Sequence, residues 1–177
     1  MTLFLKAVHI LSLCSALCSI TVFAASPPIK DFGQFYQVPD AQTLAKNSHF
    51  KIAFDVSKQA TEGELNFAFN SLARFINMHV DSGVPIDNIH LALVVHGGAS
   101  KDLLADKYYQ ALYMKTNANQ ALIKQLLAHN TEVYLCGQSA THYDVSTDKL
   151  IPGVKLMLSA MTAHAYLQQQ GYSLNPF

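Results

Sequence analysis

The chain has 177 residues, with 12 basic and 12 acidic side chains, and therefore carries no formal net charge at pH 7. This balance gives no electrostatic reason to bind nucleic acid or an anionic membrane. The eight histidines are scattered, and neither HxxxH nor CxxC spacing occurs, so the sequence predicts no metal site and no cofactor.

The first residues have the pattern of a secretory signal peptide. Lys6 supplies a weak positive charge, an apolar stretch interrupted by serines follows from Ala7 to Phe23, and Val22-Phe23-Ala24 suits a signal peptidase. We therefore expect residues 1–24 to be removed by cleavage after Ala24, and the protein to be exported to the periplasm. An uncleaved membrane anchor is the alternative, but the apolar stretch is short for one.

About 150 residues remain after cleavage, which suits one domain. Residues 25–48 are predicted to form an extended arm, because Gly33, Pro39 and several polar residues break any helical or strand period. Three aromatic residues could hold this arm against the domain or against a neighbouring subunit: Phe32, Phe35 and Tyr36. Residues 49–177 are predicted to form the folded domain.

Strand and helix patterns alternate through this domain. Apolar or alternating runs predict strands over 51–56, 89–95, 132–135 and 154–158, with a short fifth strand at 172–174. Predicted helices run from a capping box at Thr61 and Glu64 to Gly83, over 102–113 in one or two pieces, from Asn119 to Asn130, and from Ser159 to Gly171. This order predicts an α/β fold, a three-layer α/β/α domain with a mostly parallel sheet of about five strands.

Cys136 is the candidate catalytic residue. The other two cysteines, Cys14 and Cys18, lie in the predicted signal peptide, so the mature chain would carry one thiol without an internal disulfide partner. Cys136 ends the third predicted strand and His96 ends the second. Because the carboxyl ends of parallel strands collect ligands at one edge, both side chains would reach one crevice if these strands are neighbours.

The turn after Cys136 favours an ionised sulfur. A helix start presents free N–H groups and the positive end of the peptide dipoles, which stabilise a thiolate or the anionic sulfur of a persulfide. Gly137 and Ser139 would leave room for a small group or for a partner's sulfur. The alternative interpretations are that Cys136 is a small buried hydrophobe and that His96 is a hydrogen-bonded turn residue. The candidate binding residues around the sulfur are His96, Gly97, Gly98, Gly137, Gln138, Ser139 and His142.

Several segments together resemble the DsrE/DsrF-like family of small sulfur-handling proteins, over about residues 51–172. They are the strand and turn Leu91-Ala92-Leu93-Val94-Val95-His96-Gly97-Gly98-Ala99, the stretch from Leu122 to Cys136, Cys136-Gly137-Gln138-Ser139, Ile151-Pro152-Gly153-Val154, Ser159-Ala160 and Gln170-Gly171-Tyr172. The similarity is greatest to exported, single-domain members without a defined role. It implies a three-layer α/β/α fold and assembly into homo-trimers or homo-hexamers.

The resemblance also implies that Cys136 matches the cysteine that carries sulfur as a persulfide in cytoplasmic relatives, with a sulfur donor and an acceptor protein or small thiol as partners. An exported chain departs from that setting, since an oxidising compartment exposes a lone thiolate to oxidation. Two other functions stay open: a non-catalytic module that binds a small ligand or a soft metal, and an oligomeric structural protein with an inert cysteine.

Overall fold

The computed structural model describes residues 26–175, so the predicted signal peptide, residues 1–24, lies outside the described part of the chain. Five strands are formed: β1 Phe50–Val56, β2 Ile89–Val95, β3 Thr131–Cys136, β4 Lys155–Met157 and β5 Ser173–Asn175. Five α-helices connect them: α1 Phe67–Asp81, α2 Asp106–Tyr113, α3 Gln120–Ala128, α4 Gly137–His142 and α5 Ala160–Gln169. Short 3₁₀ segments cover 86–88, 97–103 and 147–149. Within 26–175, none of the helices has the length and apolar character needed to span a bilayer.

The strands form one sheet in the order β4-β3-β2-β1-β5, and every neighbouring pair is parallel. The predicted α/β class with a mostly parallel sheet of about five strands is therefore confirmed. The order also makes β1, β2 and β3 neighbours, so their carboxyl ends lie side by side at one edge of the sheet.

The two faces of the sheet carry different cores. The larger core packs α1 and α3 against one face through buried side chains, among them Phe69, Leu72, Ile76, Leu122, Ile123 and Leu126. The smaller core lies under α5 and consists of Ala53, Ala92, Val94, Tyr134, Ala163 and Leu167. Because side chains alternate along a strand, the face under α5 is set by alternate positions of β1, β2 and β3.

Helix α1 begins later than the predicted capping box requires. Thr61 and Glu64 form a turn joined by the Glu64 N–H and the Thr61 carbonyl at 2.9 Å, and Gly63 in that turn has a φ of +81°, outside the helical region. The helix starts at Phe67, where the side chain of Asn66 accepts the N–H of Ala68. The capping-box prediction was therefore wrong, whereas the predicted cap of α5 is confirmed, because Ser159 accepts the N–H of Thr162.

The arm packs against its own domain. Ile29 is fully buried, its N–H donates to Oδ1 of Asn77 at 3.0 Å, and the Asn77 amide donates back to the Ile29 carbonyl. Gly33 lies so close to α1 that a β-carbon there would stand 2.3 Å from the carbonyl carbon of Ala73. Of the three aromatic residues predicted to hold the arm, Phe32 packs against the core, whereas Tyr36 is 92% exposed.

Candidate functional site

Three side chains lie in a row at the carboxyl edge of the sheet, on the face covered by α5. Ala53, Val94 and Tyr134 point toward α5 from β1, β2 and β3. Two residues further along each strand, alternation places Asp55, His96 and Cys136 on that same face. Leu135 pairs with Val95, so Cys136 stands next to His96 in register, on backbones about 5 Å apart. The sequence prediction that Cys136 and His96 share one edge is met by the strand order.

Cys136 is a free thiol with only 6% of its surface exposed in the single chain. The exposure that the small-residue turn suggested is therefore not found. The sulfur is nevertheless not enclosed by aliphatic side chains alone, because Cys136 is the N-cap of α4 and the first residue of α5 also reaches it. The thiol lies at the junction of two helix starts: the sequence predicted the one that follows Cys136, but not the start of α5.

The pKa of Cys136 lies below that of an ordinary thiol. Burial acts to raise the pKa, but hydrogen bonds from the N–H and hydroxyl of Ser139 and from the N–H groups of Ala160 and Gln138 outweigh it. These donors stabilise the thiolate, which is the form that attacks sulfur and binds metals. A larger fraction of the thiol is thus ionised at neutral pH than in an isolated cysteine.

Ser139 connects the cysteine turn to the turn after β2. Its hydroxyl oxygen accepts the N–H of Gly97 at 2.9 Å, which leaves the hydroxyl hydrogen free for Cys136. Gly97 has a φ of +54°, and a β-carbon there would stand 3.0 Å from the Ser57 carbonyl oxygen. Gly97 and Ser139 therefore fix the two turns against each other beside the sulfur.

His96 belongs to a second cluster that the sequence did not predict. Its Nε2 lies 3.0 Å from Oδ2 of Asp55, and Nε2 of His164 lies 2.7 Å from Oδ1 of the same carboxylate. Partial burial acts to raise the pKa of Asp55, but the hydrogen bonds from His96 and His164 outweigh it, so the pKa lies below the usual value. Asp55 is therefore a carboxylate that joins two imidazoles across β1, β2 and α5.

The remaining predicted binding residues have different positions. The space beside Gly137 is not open to a partner, since a β-carbon there would lie 2.8 Å from the carbonyl oxygen of Met157. Gln138 donates its side-chain amide to the Leu158 carbonyl at 3.3 Å. Gly98 packs beside Gln59. These contacts hold the turns in place and do not by themselves form a ligand pocket.

His142 is not brought to the sulfur. It is the last residue of α4, it is exposed, and its ring stacks edge-on against Tyr143 at 4.7 Å. His164, which carried no predicted role, lies in the site instead, because α5 packs over β2 and β3 and its His164 reaches Oδ1 of Asp55 on β1. The sequence held a signal for Asp55, an acidic residue one position before the end of a predicted alternating strand.

The cluster of Asp55, His96 and His164 does not have an arrangement that could hold a metal ion, and no other group of histidine, cysteine, aspartate or glutamate side chains within residues 26–175 has one. The chemistry that the arrangement supports is that of an activated thiolate with a neighbouring imidazole-carboxylate cluster. Such a thiolate can attack a sulfur-sulfur bond, and the N–H groups that stabilise it would equally stabilise the outer sulfur of a persulfide.

Two solved structures have a similar fold. A protein of unknown function from Methanobacterium thermoautotrophicum, MTH1491, has a TM-score of 0.55 at 11% sequence identity, over 72% of this chain and 99% of that one. The ychN protein from E. coli has a TM-score of 0.52 at 22% identity, over 72% of this chain and 100% of that one. No curated protein matches the chain.

The model of the DsrE/DsrF-like family matches residues 51–176, which begin in β1 and include every strand and helix described above. The match contains both the cysteine turn and the imidazole-carboxylate cluster. It agrees with the segments that suggested the resemblance in the sequence. The chain belongs to the DsrE/DsrF-like family.

Proposed function

We propose that the protein carries sulfane sulfur as a persulfide on Cys136, taking it from a donor and passing it to an acceptor protein or small thiol. The observation that carries this proposal is the set of hydrogen-bond donors around the sulfur, which lower the pKa of Cys136 although the residue is buried. Membership of a family of sulfur-handling proteins supports the same role. Residues 26–175 contain one thiol and no group of side chains that could hold a metal ion, so no feature of this part of the chain favours a soft metal over sulfur.

The start of α5 reaches the sulfur and covers it. Ala160 donates its N–H to Cys136. Ser159 beside it is buried, whereas Leu158 is 72% exposed and Met161 is 80% exposed. Leu158 and Met161 form an exposed apolar rim beside the covered thiolate.

The test is intact-mass spectrometry of the protein after incubation with a sulfane-sulfur donor such as glutathione persulfide. The wild-type chain should gain the mass of one sulfur atom, and Cys136→Ser should gain none, because the thiolate is the acceptor. A wild-type protein that gains no sulfur from several donors would contradict the proposal. We also propose export, and the same spectrum of periplasmic protein should show a chain that begins at Ala25.

We further propose that the protein is a homo-oligomer, a trimer or a hexamer, and that the rim beside the site takes part in the contact. Two large apolar side chains lie exposed at the link between β4 and α5, Leu158 and Met161, and Tyr166 is exposed further along α5. β4 is also an edge strand of three residues. A face of this kind, with apolar side chains next to an unpaired edge, is typical of an interface between subunits.

Met161→Glu is expected to shift the protein from oligomer to monomer, because it places a charge in the centre of the apolar face. Light scattering after gel filtration measures the mass. The matched control is Met114→Glu, since Met114 is 93% exposed on a different part of the surface. A wild-type protein that is already monomeric at high micromolar concentration, or a Met161→Glu variant that keeps the wild-type mass, contradicts the interface.

A further inference from the structure

The cluster of Asp55, His96 and His164 requires an explanation beyond packing. Its three side chains are not buried: the side chain of Asp55 is 39% exposed, that of His96 33% and that of His164 19%. Ion pairs between partly exposed side chains contribute little to the stability of the fold, because holding the side chains in one geometry costs conformational entropy. The two ion pairs of Asp55 are therefore not explained by stability alone.

The hydrogen bonds decide which nitrogen of each ring is protonated. Asp55 is an acceptor, so Nε2 of His96 and Nε2 of His164 both carry hydrogen. Within the described residues, 26–175, Nδ1 of His96 has no hydrogen-bond partner. In the neutral ring this nitrogen has a free lone pair, and in the protonated ring it is a free donor.

The backbone position of His96 is next to Cys136, while Nε2 of its ring turns to Asp55 on the neighbouring strand β1. His96 and Cys136 occupy adjacent register positions on the same face of the sheet. The turn that follows His96 is bound to the cysteine turn through the Gly97 N–H and the Ser139 hydroxyl. The titratable groups around His96 are Asp55 from β1, which its ring contacts, His164 from α5, which contacts the same carboxylate, and Cys136 at the neighbouring register position on β3.

We propose that His96 transfers the proton in sulfur exchange at Cys136, and that Asp55 and His164 are positioning residues that hold its ring and its tautomer. This inference rests on the proposed sulfur-carrier function and assigns the residues that assist it. His164 occupies the second carboxylate oxygen, so that Asp55 cannot turn away from His96.

Transfer of sulfur from a persulfide to Cys136 needs no outside oxidant. The Cys136 thiolate attacks the outer sulfur of a persulfide R–S–SH, a bond forms between the two sulfurs, and the S–S bond of the donor breaks with its electron pair going to R–S⁻. The Cys136 sulfur is formally oxidised and the inner sulfur of the donor is reduced. Protonated His96 gives its Nδ1 hydrogen to R–S⁻, which leaves as a thiol. In delivery to an acceptor thiol, neutral His96 takes the proton of that thiol.

The experiment measures the single-turnover rate of sulfur loading from glutathione persulfide between about pH 5 and pH 8, where imidazoles titrate. His96→Gln should load about 100-fold more slowly, and its pH profile should differ in shape from that of the wild-type protein, because the proton donor is removed. Asp55→Asn should load about tenfold more slowly, because an amide oxygen can accept from only one of the two rings.

Iodoacetamide alkylation of Cys136 separates proton transfer from a structural effect. Alkylation releases iodide, which needs no proton, so its rate should be unchanged within about twofold in His96→Gln and Asp55→Asn. The matched control is His90→Gln, a histidine on the same strand at the opposite edge of the sheet, which should load like the wild-type chain.

The outcomes distinguish the two proposals. A wild-type protein that takes up no sulfur overturns the carrier function itself. A wild-type protein that loads, with an unchanged rate and pH profile in His96→Gln, overturns only the role of His96. Equal losses in loading and in alkylation also overturn it, since they would show that the ring acts on the thiolate and not on the leaving group.

Discussion

Ser139→Ala is expected to slow the alkylation of Cys136 at neutral pH by about tenfold. The Ser139 hydroxyl is one of the hydrogen bonds that lower the pKa of Cys136, and a hydrogen bond to a charged group contributes about 1.5 kcal/mol. Without this hydrogen bond, the effect of burial is less well offset and the pKa of the thiol rises. Less thiolate is then present at pH 7. The pH dependence of the alkylation rate measures the change directly.

Ser139→Thr is the matched control, because it keeps a hydroxyl at the same position. It should retain most of the wild-type reactivity. The alanine variant also frees the N–H of Gly97, which should lower the free energy of unfolding by about 1 kcal/mol. If the pH profile of Ser139→Ala coincides with that of the wild-type protein, the hydroxyl does not support the thiolate, and the backbone N–H groups alone would account for it.

The order of elements could be predicted from the sequence because the signals were local. The run from Ile89 to Val95 is nearly all apolar, and it forms β2 with the predicted bounds. The predicted start of α1 was wrong. Thr61 and Glu64 fit a capping box in the sequence, but the conformation of Gly63 and the cap at Asn66 place the start of the helix at Phe67. Such competition depends on tertiary contacts, since the Asn66 N–H is held by Asn119.

Part of the candidate site could also be predicted, because the signals for Cys136 and His96 are local. Cys136 and His96 each end an apolar strand, so the parallel sheet brings them together without further information. His164 could not be placed, because its role depends on the angle at which α5 crosses the sheet. His142 is near Cys136 in sequence but lies at the far end of α4, which shows that nearness along the chain is a weaker guide than strand register.

The burial of the thiol could not be predicted from the sequence around it. The Cys-Gly-Gln-Ser turn predicts access when it is considered alone. In the fold, the link between β4 and α5 passes directly over it, as the approach of the Met157 carbonyl to Gly137 shows. That link covers the sulfur and also supplies the Ala160 N–H, so burial and activation of Cys136 have the same structural origin.

Asn66→Asp is expected to lower the free energy of unfolding by about 3 kcal/mol at neutral pH. Asn66 is 4% exposed, and its amide donates to Oδ2 of Asp102 at 2.8 Å and to the Lys58 carbonyl at 3.0 Å. Burial already raises the pKa of Asp102, although hydrogen bonds from the Ala60 N–H and Asn66 lower it in part. The substitution replaces a donor with a second buried carboxyl, and the two cannot both ionise at hydrogen-bond distance.

The loss of stability in Asn66→Asp should be larger at high pH than at low pH. A carboxyl pair that shares a proton has a raised pKa in the folded state, so the folded state binds more protons than the unfolded chain, and stability falls as pH rises. Urea unfolding at about pH 7 and about pH 4.5 should therefore show a much smaller difference from the wild-type protein at the lower pH.

Two variants separate the charge effect from the loss of the helix cap. Asn66→Ser keeps an oxygen that can accept the Ala68 N–H but removes the donor to Asp102, and it should cost about 2 kcal/mol with little added dependence on pH. Adding Asp102→Asn to Asn66→Asp restores one carboxylate facing one amide and should recover most of the lost stability. A loss in Asn66→Asp that is equally large at both pH values, or that the second substitution leaves unchanged, would show that carboxyl repulsion is not its cause.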